Sequence, residues 1–343
     1  MHKAIFLEGT LSVTITPTGP FLIKAGDTGG ADPTLPDMEF VRTRHRGAPE
    51  VYIPGSSLKG VVRAQCERIC RSLDGERRYD QDAQRLREHQ ELFVPPLADN
   101  PILKKEDFVP YRRGGNDTKF SSGIYLQDED CDGAATYRRS AFTSQIFGNT
   151  SLAGRVRFAD AYPQGKVTLE ERNGVAIDRI YGSVAVGPFN YETVVEGAFT
   201  TQIDLKNLTL AQLGLLGLAL RDLAEGRVAI GFGKSRGLGR ISITFDALEL
   251  RYPTCELVEG QLRLLNGKAR LDARTLAGVG ALATEGYRDY AFDANDTADL
   301  PVELNYEDDD ERGMGVRLMA PGDAQVRSLF KACMPAWKRR IGL

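Results

Sequence analysis

The chain has 343 residues with 42% apolar content, enough for a sizeable core in one large domain or two. No apolar run is long enough to span a bilayer, and the opening Met-His-Lys-Ala-Ile-Phe-Leu-Glu is too short and too soon charged for a signal peptide, so no membrane partner is expected. Five scattered cysteines point to reduced thiols in a cytoplasmic protein. The net charge of −3 is unevenly spread: residues 285–311 hold eleven acids and one base, which puts −10 there and leaves the rest of the chain at +7. A basic body can meet a polyanion, because the position of charge governs encounter more than its total. Glu307-Asp-Asp-Asp-Glu311 reads as a solvated loop.

Ile5, Leu7, Leu11, Val13 and Ile15 alternate and predict an opening strand or strand pair. A loop rich in Gly, Pro and Asp follows over 17–36. Val61 to Leu73 has helical spacing, with Ser56 or Ser57 as its expected N-cap. From about 73 to 144 the chain is polar with mixed charge; its first part, 76–92, suits a charged helix, and the remainder reads as an ordered insertion or a flexible loop. Arg155-Val-Arg-Phe-Ala-Asp160 is strand-like, 172–195 reads as an exposed excursion, and Phe199 to Ile203 is a strand. Leu210 to Ala224 predicts an amphipathic helix, and 240–251 the last strand of the body. The order strand, helix, strand, strand, helix, strand predicts an α+β fold with a ferredoxin-like core of the RNA-recognition type over 1–252. A C-terminal extension fills 253–343, helix-like over 257–284 and then irregular and acidic.

Gly231-Phe-Gly-Lys-Ser-Arg-Gly-Leu-Gly239 is the stretch richest in chemistry. Its four glycines let the backbone turn sharply or approach a partner closely. Gly231, Gly233, Lys234, Ser235, Arg236 and Gly237 offer free N–H groups, a hydroxyl and two cations, which is what a phosphate backbone needs. A strand follows rather than a helix, which excludes a P-loop or dinucleotide fingerprint.

Three motifs stand in a fixed order: Ile53-Pro-Gly-Ser-Ser-Leu-Lys-Gly60 before a helix, Phe147-Gly148 leading to Arg155-Val-Arg-Phe-Ala-Asp160, and the glycine loop. Together they resemble the RAMP superfamily of CRISPR–Cas systems, and within it the repeated backbone subunit of type III effector complexes. Arg172-Asn-Gly-Val-Ala-Ile-Asp-Arg179 resembles the start of that subunit's β-hairpin thumb, which would span about 172–195. The likeness covers roughly 4–72 and 145–250.

The resemblance implies a subunit that stacks with other CRISPR effector subunits in a heteromeric filament along a guide RNA (crRNA). Its thumb would displace a base pair of the guide–target duplex. A loop aspartate would cut the complementary target RNA with a divalent metal, Mg or Mn. Asp37 matches that position best and Asp32 second, in a loop that also holds Asp27. Ser56, Ser57, Lys59, Arg63, Arg172 and Arg179 join the glycine loop as expected RNA contacts; Lys59 and Arg63 lie a turn apart at a helix start, where N–H groups also face an anion. A guide held by shape and charge needs cations and backbone donors rather than base-reading side chains.

Two rival functions stand beside this reading: a purely architectural guide-binding subunit, and a guide-processing ribonuclease. The last would rely on His or Tyr, with only His2, His45 and His89 available among histidines. Cys66, Cys70, His89 and Cys131 form a candidate zinc set, against which two half-buried helix thiols are the simpler reading. Trp337 with Lys338-Arg-Arg340 reads as an RNA contact or, preferably, as a helix anchoring the C-terminus.

Overall fold

Leu11, Val13 and Ile15 point into the core while Thr10, Ser12 and Thr14 turn away, so β1 (Glu8–Pro17) forms by simple alternation. In the computed structural model, residues 4–26, 36–45, 47–109, 111, 119–267, 269–283 and 285–343 are described. A short hairpin of β2 (Arg42–His45) and β3 (Ala48–Val51) precedes α1 (Gly55–Leu73). Leu58, Val62, Cys66 and Cys70 give α1 a buried stripe at a spacing of four. The helix is capped by Pro54 rather than by Ser56 or Ser57, both of which lie inside its first turn. Gly55 explains the shift. A Cβ there would sit 2.3 Å from the carbonyl oxygen of Phe158, and its N–H donates to Asp160 at 2.7 Å, so the helix starts against the neighbouring strand.

Between α1 and the second core strand lie α2 (Glu76–Arg87), α3 (Ser122–Tyr125), α4 (Gly133–Arg139) and α5 (Phe142–Phe147). Phe93, Phe108, Phe120 and Tyr125 cluster in this insertion with ring centroids 5.1–5.9 Å apart. The chain then runs through β4 (Val156–Phe158), β5 (Tyr162–Pro163), the hairpin of β6 (Thr168–Ile177) and β7 (Val184–Glu196), β8 (Phe199–Lys206), α6 (Leu210–Ala224) and β9 (Ile241–Tyr252).

The core strands lie in the order β9-β1-β8-β4, all antiparallel. With α1 and α6 as the two crossovers, this is the ferredoxin-like arrangement expected from the sequence. Leu11 sits between Ile203 and Leu248, and Ile15 between Phe199 and Ile243, which fixes the register by one continuous apolar face.

The C-terminal part departs from expectation. The helix-like stretch 257–284 is instead mostly β-structure: β10 (Cys255–Val258), β11 (Gln261–Leu264), β12 (Arg270–Asp272) and β13 (Thr275–Ala277), then the one-turn α7 (Val279–Leu282). Glu259 and Gly260 both take left-handed φ, of 51° and 74°, which makes the tight two-residue turn that closes a hairpin. After β14 (Thr297–Asp299), β15 (Tyr306–Asp308) and β16 (Val316–Pro321) extend the main sheet, with β16 paired to β9. The acidic run is therefore not a free loop. Asp309 is buried near Arg251 and Arg312, and Glu307 meets Arg317 at 3.3 Å.

Finally α8 (Gly322–Ala332) and α9 (Met334–Arg340) pack on the outside of α6. This is why α6 is buried on nearly all sides rather than amphipathic. Gly214 makes room for Met334 and Trp337, and Gly217 for Phe330. Trp337 is buried against Phe142, 5.7 Å between centroids, as an anchor.

Candidate nucleic-acid interface

The glycine loop is held open by its backbone. Gly231, Gly233, Gly237 and Gly239 all have left-handed φ, from 68° to 91°. A Cβ on Gly231 would lie 2.1 Å from the Leu22 carbonyl oxygen, and one on Gly239 2.1 Å from that of Ile230. Hydrogen bonds from Phe232 N–H to Leu22 and from Gly239 N–H to Pro20, at 2.7 and 2.9 Å, clamp the loop to the segment after β1. Lys234, Ser235 and Arg236 form a single 3₁₀ turn between these clamps, exposed to solvent. The Arg236 guanidinium lies 5.4 Å from the ring of Phe232 and 5.9 Å from that of Phe189 on β7, joining the loop to the hairpin.

Cations along α1 continue this surface. Val61, Ala64, Gln65 and Arg68, at helical spacing, line a cleft shared with Arg227, Val228, Ala229, Lys234 and one carboxylate, Asp222, which accepts from Gln65 at 2.8 Å. Partial burial, and then the neighbouring Arg68 charge, lower the pKa of Lys234; burial and then Arg63 do the same for Lys59. Like charges held close together favour an anion, a demand that Glu67 meets in part at Arg63 and Asp222 in part in the cleft. Arg68 was not singled out from sequence, although its spacing from Val61, Ala64 and Gln65 carries the signal. Ser56 is exposed beside Lys59 at the helix start.

Arg63, partly exposed, has protein partners of its own. Its guanidinium donates to Glu67 at 2.8 Å, to the Gly148 carbonyl at 2.9 Å and to Ser144 at 3.3 Å. It clasps α1 to the Phe147-Gly148 turn, and all of these partners are protein groups.

The exposed excursion is the β6–β7 hairpin, whose ladder already starts at Thr168. Arg172 faces Tyr191 across it and meets Glu170 at 3.2 Å. Gly174 faces Phe189, whose ring a Cβ would strike at 2.6 Å. At the tip the Asp178 carboxylate accepts the N–H groups of Ile180 and Tyr181, at 2.7 and 2.8 Å, bonds that lower its pKa. That turn presents Ile180 and Tyr181, 83% and 84% exposed, beside the exposed Arg179.

Asp27 and Asp32 lie outside the described residues. Asp37 is exposed at the start of a strip, 36–41, squeezed between two other segments. On one side Ala25 N–H donates to Glu39 and Val41 N–H to Ile23. On the other, Met38 N–H donates to Asn190 and Glu192 N–H to Met38. The Asp37 Oδ2 accepts the Asn190 N–H at 2.8 Å. Among the described residues its Oδ1 has no hydrogen-bond partner. The carboxylate thus stands at the base of the hairpin.

His45 stacks on Tyr162 at 4.0 Å with its Nδ1 3.0 Å from Glu50. The zinc set is not assembled. Cys66 and Cys70 are fully buried in the main core, where burial pushes both thiols up, while His89 and Cys131 belong to the insertion. Among the described residues no group of three or more His, Cys, Asp or Glu side chains converges as metal ligands. No helix among them is long and apolar enough to cross a membrane.

The chain thus joins a ferredoxin-like sheet to a glycine-rich basic loop and a long exposed hairpin. The family model of the RAMP superfamily matches residues 14–242, from within β1 into β9. The chain belongs to this superfamily of CRISPR-associated RNA-binding proteins. No curated protein matches it significantly.

Proposed function

We propose that this chain is a backbone subunit of a type III CRISPR effector complex that holds guide RNA along α1 and the glycine loop and cuts complementary target RNA with Asp37. The observation that carries the reading is the Asn190 N–H to Asp37 hydrogen bond. It ties a carboxylate, one oxygen of which has no hydrogen-bond partner among the described residues, to the base of a hairpin whose tip exposes Ile180 and Tyr181. An apolar wedge entering a duplex unstacks it. A displaced nucleotide is free of the helical geometry that keeps a 2′-hydroxyl from lining up with its own phosphate.

Asp37 would take the proton of that hydroxyl as it attacks the phosphorus, while the 5′-oxygen leaves. A single carboxylate together with substrate phosphates is a donor set that suits Mg²⁺. In the alternative to acting as the base, Asp37 would hold such an ion, which would supply charge stabilisation to the phosphate.

The test is cleavage of complementary RNA by the assembled complex with magnesium, manganese or chelator. Asp37→Ala is expected to abolish cutting at one site and to leave guide and target affinity within about twofold, as expected when an interaction made only in the transition state is lost. Loss only in Asp32→Ala would keep the mechanism and move it to the other aspartate. Unchanged cutting in both would leave an architectural subunit.

A further inference from the structure

Phe40 is gripped at both of its backbone groups by one pair of side chains. Its N–H donates to Glu192 Oε2 at 3.0 Å, and its carbonyl accepts from Arg42 Nη1 at 3.1 Å. Arg42 Nη2 in turn donates to Glu192 Oε1 at 2.6 Å, which closes the ring. Glu192 is mostly buried on β7, and the Phe40 side chain is buried edge-on against Phe21, 5.4 Å between centroids. The ring thus crosses between the Asp37 strip and the hairpin two residues beyond the Asp37–Asn190 bond. Backbone hydrogen bonds hold the strip at Met38, Glu39 and Val41, in isolated bridges and not in a continuous ladder, and the Glu192–Arg42 pair takes up both backbone groups of Phe40 between them.

We infer that Glu192 is a positioning residue that holds the Asp37 strip in register with the hairpin through Phe40 and Arg42. The inference rests on the reading of Asp37 as the cleaving carboxylate. It also gives Arg42 a role within the protein: its guanidinium, about a third exposed, bonds both Phe40 and Glu192. A carboxylate and a displaced nucleotide carried by two separate segments react only if the segments keep a common frame. A shift of about 1 Å in such a frame can cost on the order of a hundredfold in rate. Glu192 accepts from both halves of the clasp, so its loss frees Arg42 and Phe40 together.

The experiment compares wild type, Glu192→Ala, Glu192→Gln and Asp37→Ala. Amide hydrogen exchange of the full chain without RNA reads the clasp directly. Glu192→Ala should speed exchange at Phe40 by at least about tenfold while β1 keeps its protection, because the effect is local opening and not global unfolding. Glu192→Gln keeps a carbonyl acceptor for the Phe40 N–H and should restore most of that protection. In the assembled complex, single-turnover cutting at saturating target should fall about ten- to a hundredfold in Glu192→Ala. Target affinity should stay within about twofold, and Glu192→Gln should recover part of the rate.

Unchanged exchange at Phe40 in Glu192→Ala overturns the clasp. Faster exchange with a wild-type cutting rate, where Asp37→Ala is inactive, overturns the positioning role alone. Full cutting by Asp37→Ala overturns the reading of Asp37 and with it the reason for positioning, while the exchange result still decides whether the clasp exists.

Discussion

Gly231 and Gly237 share a left-handed backbone, yet a side chain would meet different surroundings at each. At Gly231 a Cβ runs into the Leu22 carbonyl, a backbone atom that cannot swing away; at Gly237 it meets nothing within 4 Å. Gly237→Ala should therefore cost only the left-handed penalty, about 1–2 kcal/mol. Gly231→Ala adds the displacement of Leu22 and should exceed about 3 kcal/mol, in the range reserved for strain at a special backbone position. Urea unfolding midpoints of the two variants check the order, and equal losses would show that the Leu22 clamp yields. The same scale explains why residue types alone could not show the protein partners of Arg63. A cation one turn into a helix reads as a phosphate ligand, but its partners Glu67, Ser144 and Gly148 come from a distant segment or from the same helix face, and no local pattern distinguishes the two uses. Asp37 was legible as a residue; its Asn190 partner, 153 positions away, was not.

Where an element is specified by its own residues, the sequence reading and the structure agree. β1, α1 and β9 follow from alternation or from a stripe at a spacing of four, and the helix over Leu210–Ala224 has a Thr209/Gln212 capping box. Reading failed where tertiary partners decide. The α6 helix carries apolar residues on its outer face because α8 and α9 cover it, and 257–264 gave up a helix-like composition to the Glu259-Gly260 turn. The β6–β7 hairpin divides in the same way. Its base belongs to the core, with Val194 buried and bonded to Phe21 in both directions, while its tip touches little. Replacing 177–185 with Asn-Gly, a pair suited to a two-residue hairpin turn, should therefore leave the unfolding free energy within about 0.5 kcal/mol of wild type. The trimmed complex should still bind guide RNA but leave its target duplex stacked, read as quenched 2-aminopurine at the position that the hairpin is proposed to displace. A bright probe in the trimmed complex would rule out the tip as the wedge.

At the scale of the whole molecule, the insertion and the C-terminal part are bound to each other and not only to the core between them. Asp82 on α2 accepts from Arg340 on α9 at 2.6 Å and from Arg85 at 2.9 Å, and Arg78 completes the cluster at 3.2 Å. The Arg78 side chain is fully buried, and Arg85 also donates to the Ala291 carbonyl. Burial pushes the Asp82 carboxyl up, but Arg340, Arg85 and Arg78 outweigh it and hold it down at about 2. An aspartate in an unfolded chain titrates near about 3.9. The folded value is the lower one, so the cluster's contribution is fully present above about pH 4 and is lost as pH falls through about 2. Removing the charge leaves buried guanidinium groups without their shared partner, a loss of about 3–5 kcal/mol for a broken buried pair. Asp82→Asn should therefore lower stability by roughly that amount at pH 7, while Asp310→Asn, on the exposed acidic run, should change it by less than about 0.5 kcal/mol. Between pH 4 and 2 the variant should also lose a slope of about one proton in a plot of stability against pH. Chemical denaturation at a series of pH values reads both effects. A variant as stable as wild type at pH 7, with the same acid slope, would mean that the two segments are held together by their apolar contacts alone.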